Sequence, residues 1–252
     1  MARFSGRRQP RRAIVLRGYH GDTPPGVTFD AVGPSSAGAG QAGTATPFTW
    51  QHICSGANRV LLVGVVVSGA DGTVSTTATY NGVACASIAK RYSNDGTAGY
   101  AELFALAGPA IGTNTVSVAV TGSAWLGLEC GSVSFNGADQ TTPVAHSASA
   151  AGNSASASVA VASAVGNMTC DLVCCGQSIG ASNQTSRWLL NRSGESAAGN
   201  GAQATAAGAA SVTMTRTVPS DWWAIIAADI QAAAAAAAAV PLPVISPYTG
   251  VF

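Results

Sequence analysis

The sequence predicts an all-β protein, a two-sheet antiparallel sandwich of jelly-roll-like kind with an extended arm at each end. Three observations carry this. Hydrophobic residues make up 47% of the chain while only 6% are aromatic and 9% charged, so Ala and Val supply most of the apolar surface. Small β-branched and hydroxyl side chains suit sheets packed face to face, and scattered Gly works against helices. Short apolar or alternating runs end repeatedly at Gly, Asn or Asp, the punctuation of a sandwich.

Residues 1–26 contain an Arg cluster, Pro10 and the pair Pro24-Pro25 without period 2 or 3.6, and read as a basic N-terminal arm. The β-sandwich domain spans 27–231. Its expected strands are 44–53, 59–68, 73–80, 83–91, 99–107, 114–121, 125–136, 155–162, 168–176, 209–217 and 221–230. Val60 to Val67 is apolar at every position but Gly64, as a central strand covered on both faces would be. Thr115 to Val120 places valines at alternate positions, burying one face. Asp71-Gly72 and Asn81-Gly82 are dipeptides that accept the positive φ of tight turns, and predict a meander over 59–91. Gly194 to Gly208 holds no large residue and reads as a surface loop or weak edge strand. Trp222, Ala224, Ile226, Ala228 and Ile230 share one face of a closing strand. Residues 232–252 form a poly-Ala and Pro-rich C-terminal tail. Its eight alanines fall short of the roughly 12–15 residues an isolated helix needs.

Charge divides the chain. Arg3, Arg7, Arg8, Arg11, Arg12 and Arg17 precede any acidic residue, whereas beyond Gly18 six basic residues face eleven acidic ones, a net −5. The arm therefore suits an acidic protein surface. The run Ala13-Ile14-Val15-Leu16 is shorter than the core of a secretory signal, about 7–15 residues, and no apolar run approaches the roughly 20 residues of a membrane helix. The expectation is synthesis in the cytoplasm, without membrane association. Cys54, Cys85, Cys130, Cys170, Cys174 and Cys175 then read as reduced, buried hydrophobes rather than a disulfide framework. No C-x-x-C pair with a nearby His suggests zinc.

Catalytic constellations fail on spacing or partners. His20, His52 and His146 belong to no nucleophile elbow, and His52 reads as solvent-facing. Glu102 and Glu129 are the best pair for glycoside hydrolysis, without supporting motif. Gly38-Ala39-Gly40 opens no helix, so no phosphate loop is indicated, and Asn94-Asp95-Gly96 lacks the further ligands of a calcium loop. No catalytic, cofactor or metal residue is assigned. The arginines lack interleaved aromatics beyond Phe4, which argues against nucleic acid and for protein assembly. Among the tryptophans, Trp188 lies nearest predicted loops and is the candidate for a glycan contact.

From about Thr46 to Ile230 the chain resembles a β-sandwich domain of minor tail and other virion structural proteins of phages that infect actinobacteria. The resemblance rests on Asn58-Arg59-Val60-Leu61-Leu62-Val63-Gly64-Val65, Ala78-Thr79-Tyr80-Asn81-Gly82-Val83-Ala84, Ala101-Glu102-Leu103-Phe104-Ala105-Leu106, Gly112-Thr113-Asn114-Thr115-Val116 and the segment Val133 to Pro143. Lys90 is the single lysine against eleven arginines, in keeping with a GC-rich genome. The resemblance implies a non-enzymatic, multi-copy or homo-oligomeric virion protein without cofactors. Its partners are other virion proteins and, in some cases, a host cell-surface glycan. It transfers no site residues, and the two arms lie outside it. The expected function is that of a minor tail protein assembled through its arms, with a capsid decoration protein or a carbohydrate-binding or adhesin module as alternatives.

Overall fold

The structure, a computed structural model, describes residues 26–93, 99–122, 125–192 and 199–234. The two arms, with all six arginines of the cluster, lie outside the described residues, apart from Gly26 and Ala232 to Ala234.

Among the described residues the fold is an all-β antiparallel sandwich built from fifteen strands in three sheets. The middle sheet comprises β1 (Thr28–Gly33), β2 (Ala39–Ala42), β4 (Val60–Ser68), β7 (Ala86–Tyr92), β8 (Gly99–Ala107) and β10 (Gly127–Asn136), in the order β1-β10-β4-β8-β7 with β2 also on β10. The front sheet runs β3-β9-β5-β6, from β3 (Phe48–Cys54), β5 (Ser75–Tyr80), β6 (Val83–Ala84) and β9 (Gly112–Thr121). The back sheet runs β11-β15-β12-β14-β13, from β11 (Val144–Ala162), β12 (Met168–Cys175), β13 (Thr185–Asn191), β14 (Asn200–Ala207) and β15 (Ser211–Ile230).

The third layer follows from β4. All nine of its residues are buried. Leu61, Val63, Val65 and Val67 pack against the front sheet with Val116, Val118 and Trp50, while Val60, Leu62 and Val66 pack against the back sheet with Leu172, Ile226 and Trp188. Two sheets cover one face of such a strand; both faces need three. Residues 28–136 supply the middle and front sheets and residues 144–230 supply the back sheet.

A third core lies on the back sheet's outer face. The register of β11 and β15 is interrupted between Ser154 and Ser156, opposite Val218 to Ser220. Beyond that break, residues 156–162 and 211–217 form a two-stranded ribbon that covers Val173, Cys175, Ala202, Ala204 and Ile225 with Ala157, Val159, Val161 and Met214.

Three local expectations are revised. The Asp71-Gly72 turn joins no hairpin, because β4 and β5 belong to different sheets and the link carries the chain across a core; only Asn81-Gly82, with φ of 50° and 77°, closes a hairpin, β5–β6. Residues 200–207 are neither loop nor edge but the inner strand β14, paired on both sides. Its small residues are what allow Trp188 to lie across it: a Cβ on Gly201 would sit 3.1 Å from the indole. The expected strands 209–217 and 221–230 are one strand, Ser211–Ile230, whose pairing with β11 is interrupted at Val218 to Ser220.

Candidate functional site

Both flanking segments join the body at one pole. The backbone N–H of Val27 donates to the carbonyl of Gly166 at 2.8 Å, and Thr28 pairs with Asn136 at the end of β10. At the other terminus Ala232 bridges Ala138, and Ala233 N–H donates to Gly137 at 2.8 Å. The entry and exit points therefore meet around residues 136–138. Six large hydrophobic side chains are exposed among the described residues, and four of them, Ile53, Val83, Ile111 and Val165, lie on strand ends or turns at this pole. Leu126 and Trp222, the latter 41% exposed, lie at the far pole.

Asp30 latches β1 to the front sheet beside the entry point. Its carboxylate accepts the N–H of Ser55 at 2.9 Å, the hydroxyl of Ser55 at 2.5 Å and the hydroxyl of Ser134 at 2.8 Å. Partial burial pushes its pKa up, but the Ser55 hydroxyl and amide and then Ser134 outweigh this and hold it below the usual carboxylate range.

Next to this latch lies a Ser/His pair. His52 is buried, at 1% exposure, which corrects the solvent-facing expectation: Trp50, His52 and Cys54 form the inward face of β3, and Ile53 the outward one. Ser132 Oγ accepts the indole N–H of Trp50 at 2.9 Å and lies 2.9 Å from Nδ1 of His52. Burial lowers the imidazole pKa to about 4 against the opposing pull of Asp30, so the ring is neutral at neutral pH. The arrangement lacks the geometry of a triad. Ser132 is sealed inside the protein, and Asp30 spends its oxygens on Ser55 and Ser134 rather than on an imidazole N–H.

Glu102 and Glu129 do not converge. Glu102 registers with Val65 and Glu129 with Val66, adjacent residues of β4, so the two carboxylates leave opposite faces of the middle sheet. Glu102 accepts hydrogen bonds from the hydroxyls of Thr76 and Ser87, while Glu129 forms an ion pair of 2.8 Å with Arg192 on the back-sheet side. They cannot flank one glycosidic bond.

Trp188, the expected glycan contact, is fully buried between the middle and back sheets, and that expectation is corrected. Its indole N–H donates to Oε1 of Gln203 at 2.6 Å, and its ring fills the space left by Gly131, where a Cβ would overlap it. The residues flanking it misled because Arg187 is amphipathic: its guanidinium stacks 3.7 Å from the Phe29 ring centroid and covers the core edge.

Sequence reasoning also missed two buried ionic groups of the third core. Asp171 on β12 and Arg216 on the ribbon are 0% and 2% exposed. Burial pushes the Asp171 carboxyl up to about 7, against the opposing effects of Arg216 and the Ala204 amide. No pattern in the sequence distinguishes either from a surface charge.

All six cysteines are unpaired and buried. Among the described residues no group of three His, Cys, Asp or Glu side chains could hold a metal ion, and no helix is long and apolar enough to cross a membrane. In comparisons with known proteins, no family model, no curated protein and no solved structure matches the chain.

Proposed function

We propose that this chain is a virion structural protein of a bacteriophage, a minor tail protein that assembles through the segments flanking its body. One observation carries the reading: both segments join the body at the same pole, around residues 136–138, where four of the six exposed large hydrophobic side chains also lie. A body tethered at one end by a basic segment and an uncharged one is anchored there and projects its far pole. The interior supports the same reading. Its buried polar groups, Ser132 and Glu102 among them, and the partly buried Asp30 hold strands together.

The projecting pole presents Trp222, the exposed aromatic side chain suited to meeting a host-surface glycan. Immunogold labelling of purified particles tests the proposal. Label confined to tails is the expected result; label on the capsid favours the decoration reading, and particles without label overturn both.

A further inference from the structure

The edges of the three sheets are unequal. β7 carries Lys90 and Arg91 and a bulge, β13 carries Arg187 and a bulge, β6 has two residues, the β1–β2 edge is broken at Pro34, and β3 is held beside β1 by the Asp30–Ser55 latch. Charges, bulges, prolines and brevity are the usual protections of an edge. β11 has none of these along His146–Ser154. That stretch pairs with β15 in unbroken register, contains neither Lys, Arg, Asp, Glu nor Pro, and has no second hydrogen-bonded neighbour among the described residues. His146, Ser147, Ser149, Asn153 and Ser154 are exposed along it.

The segment Val240-Pro241-Leu242-Pro243-Val244-Ile245-Ser246-Pro247-Tyr248 has matching properties. It is uncharged, and its nine residues equal the nine of His146–Ser154. All three prolines fall at odd positions. In an extended chain, residues of one parity turn their N–H and C=O groups to the same side. Val240, Leu242, Val244, Ser246 and Tyr248 therefore retain every donor on one side, while Pro241, Pro243 and Pro247 delete donors on the other. Such a segment can add to a sheet once, and its second side then resists further pairing.

For antiparallel addition, reach decides which molecule it joins. β11 runs from the arm-bearing pole, where Val144 faces Ile230, to the far pole, where Ser154 faces Asp221. Nine residues at about 3.4 Å each place Ser154 roughly 30 Å from the arm-bearing pole. Ala234 stands near that pole, and six residue steps to Val240 span about 20 Å at most. Antiparallel addition sets Val240 beside Ser154, beyond the reach of the same molecule.

We propose that residues 240–248 of one copy add as an antiparallel strand to the free edge of β11, residues 146–154, of a neighbouring copy, joining copies head to tail. This rests on the assembly reading above and supplies its docking site. The contact is heterologous, so repetition gives a ring or a filament, and the prolines limit each edge to one added strand.

Cysteine pairing in the full chain tests it. Antiparallel alignment of the two nine-residue segments opposes Ser149 to Ile245, and Ser147 lies one step along the same exposed face. The native thiols are all buried and stay silent under mild oxidation. Mixing the single variant Ile245→Cys with Ser149→Cys, or with Ser147→Cys, is expected to give a disulfide-linked dimer on non-reducing gels. The double variant Ser149→Cys/Ile245→Cys is expected to give a ladder of multimers. Disulfide formed only within single chains, or no hetero-dimer in either mixture, overturns the proposal. Particles that label with antibody while neither mixture cross-links would leave the virion reading standing and remove only this docking.

Discussion

Asp171 and Arg216 are both sealed beneath or within the ribbon over the back sheet and feel each other's charge, yet they form no ion pair. Oδ1 of Asp171 accepts the Ala204 N–H, while its Oδ2 and the Nε and Nη2 of Arg216 have no protein partner. Both charged forms are thus disfavoured by burial, and the carboxyl titrates near 7 in the fold against 3.8 ordinarily.

The pH dependence of stability follows with opposing signs. A raised carboxyl contributes stability that is fully present below pH 3.8 and lost as pH rises through about 7. His52, lowered from 6.5 to about 4, contributes stability present above pH 6.5 and lost as pH falls through about 4. Between these limits the two slopes oppose each other. Asp171→Asn should leave the His52 slope exposed, so that the urea midpoint falls steadily on acidification, and His52→Gln should leave it rising. Midpoints measured across this window check both, and an Asp171→Asn midpoint that does not fall on acidification contradicts the assignment.

Trp188→Ala removes a fully buried indole from a slot lined by Gly131 and Gly201 and leaves Gln203 without its donor. A loss of about 3–5 kcal/mol in unfolding free energy is expected from the cavity. Gly131→Ala should also destabilise, because its Cβ has no room beside the indole. Denaturant unfolding of each variant measures this. Lost binding in Trp188→Ala would thus report lost structure, so any glycan contact is tested at Trp222→Ala.

What the sequence disclosed and what it hid divide along physical lines. The doubly apolar run Val60 to Val67 already required cover on both faces, so the third layer was implicit in the strand expected to be central. The alternating valines of β9 likewise stand as expected, inward at 116, 118 and 120. β14 stayed hidden because Asn200 to Ala207 carries no β-branched apolar residue; it is a strand because a tryptophan from β13 needs a thin neighbour. The face of His52 was misjudged for a related reason. Parity pairs it correctly with Trp50 and Cys54, but only tertiary contact with Ser132 shows that a polar imidazole takes the inward side over Ile53. Asp171 and Arg216 meet across about 45 residues of sequence, and no local pattern encodes that.

The cysteines give a test of the packing as a whole. Cys54, Cys85 and Cys130 lie in the core between middle and front sheets, Cys170 and Cys174 between middle and back sheets, and Cys175 under the ribbon. Burial pushes the thiols of Cys85 and Cys174 up to about 12, which suppresses the reactive thiolate. Ellman's reagent should find no accessible thiol in the native protein and all six in denaturant. If the ribbon opens independently, Cys175 alone should label first in peptide mapping, ahead of the other five.

The latch at Asp30 tests whether the entry pole is built to bear load from the preceding segment. Its carboxylate holds Ser55 and Ser134, one on the chain leaving β3 and the other on β10, so that β1 is tied to two sheets at once. Asp30→Ala removes all three hydrogen bonds, with an expected loss of about 1–2 kcal/mol, discounted for partial solvent access. Hydrogen exchange should then quicken in residues 28–33 while β4 and β8 keep their protection, because those strands are buried on both faces whether or not β1 is docked. Deletion of residues 1–25, by contrast, should leave exchange over 28–33 unchanged, since Asp30 and the Val27–Gly166 contact stay intact. Slower exchange in Asp30→Ala, or a global loss of protection, would show that the latch is not the local tie described.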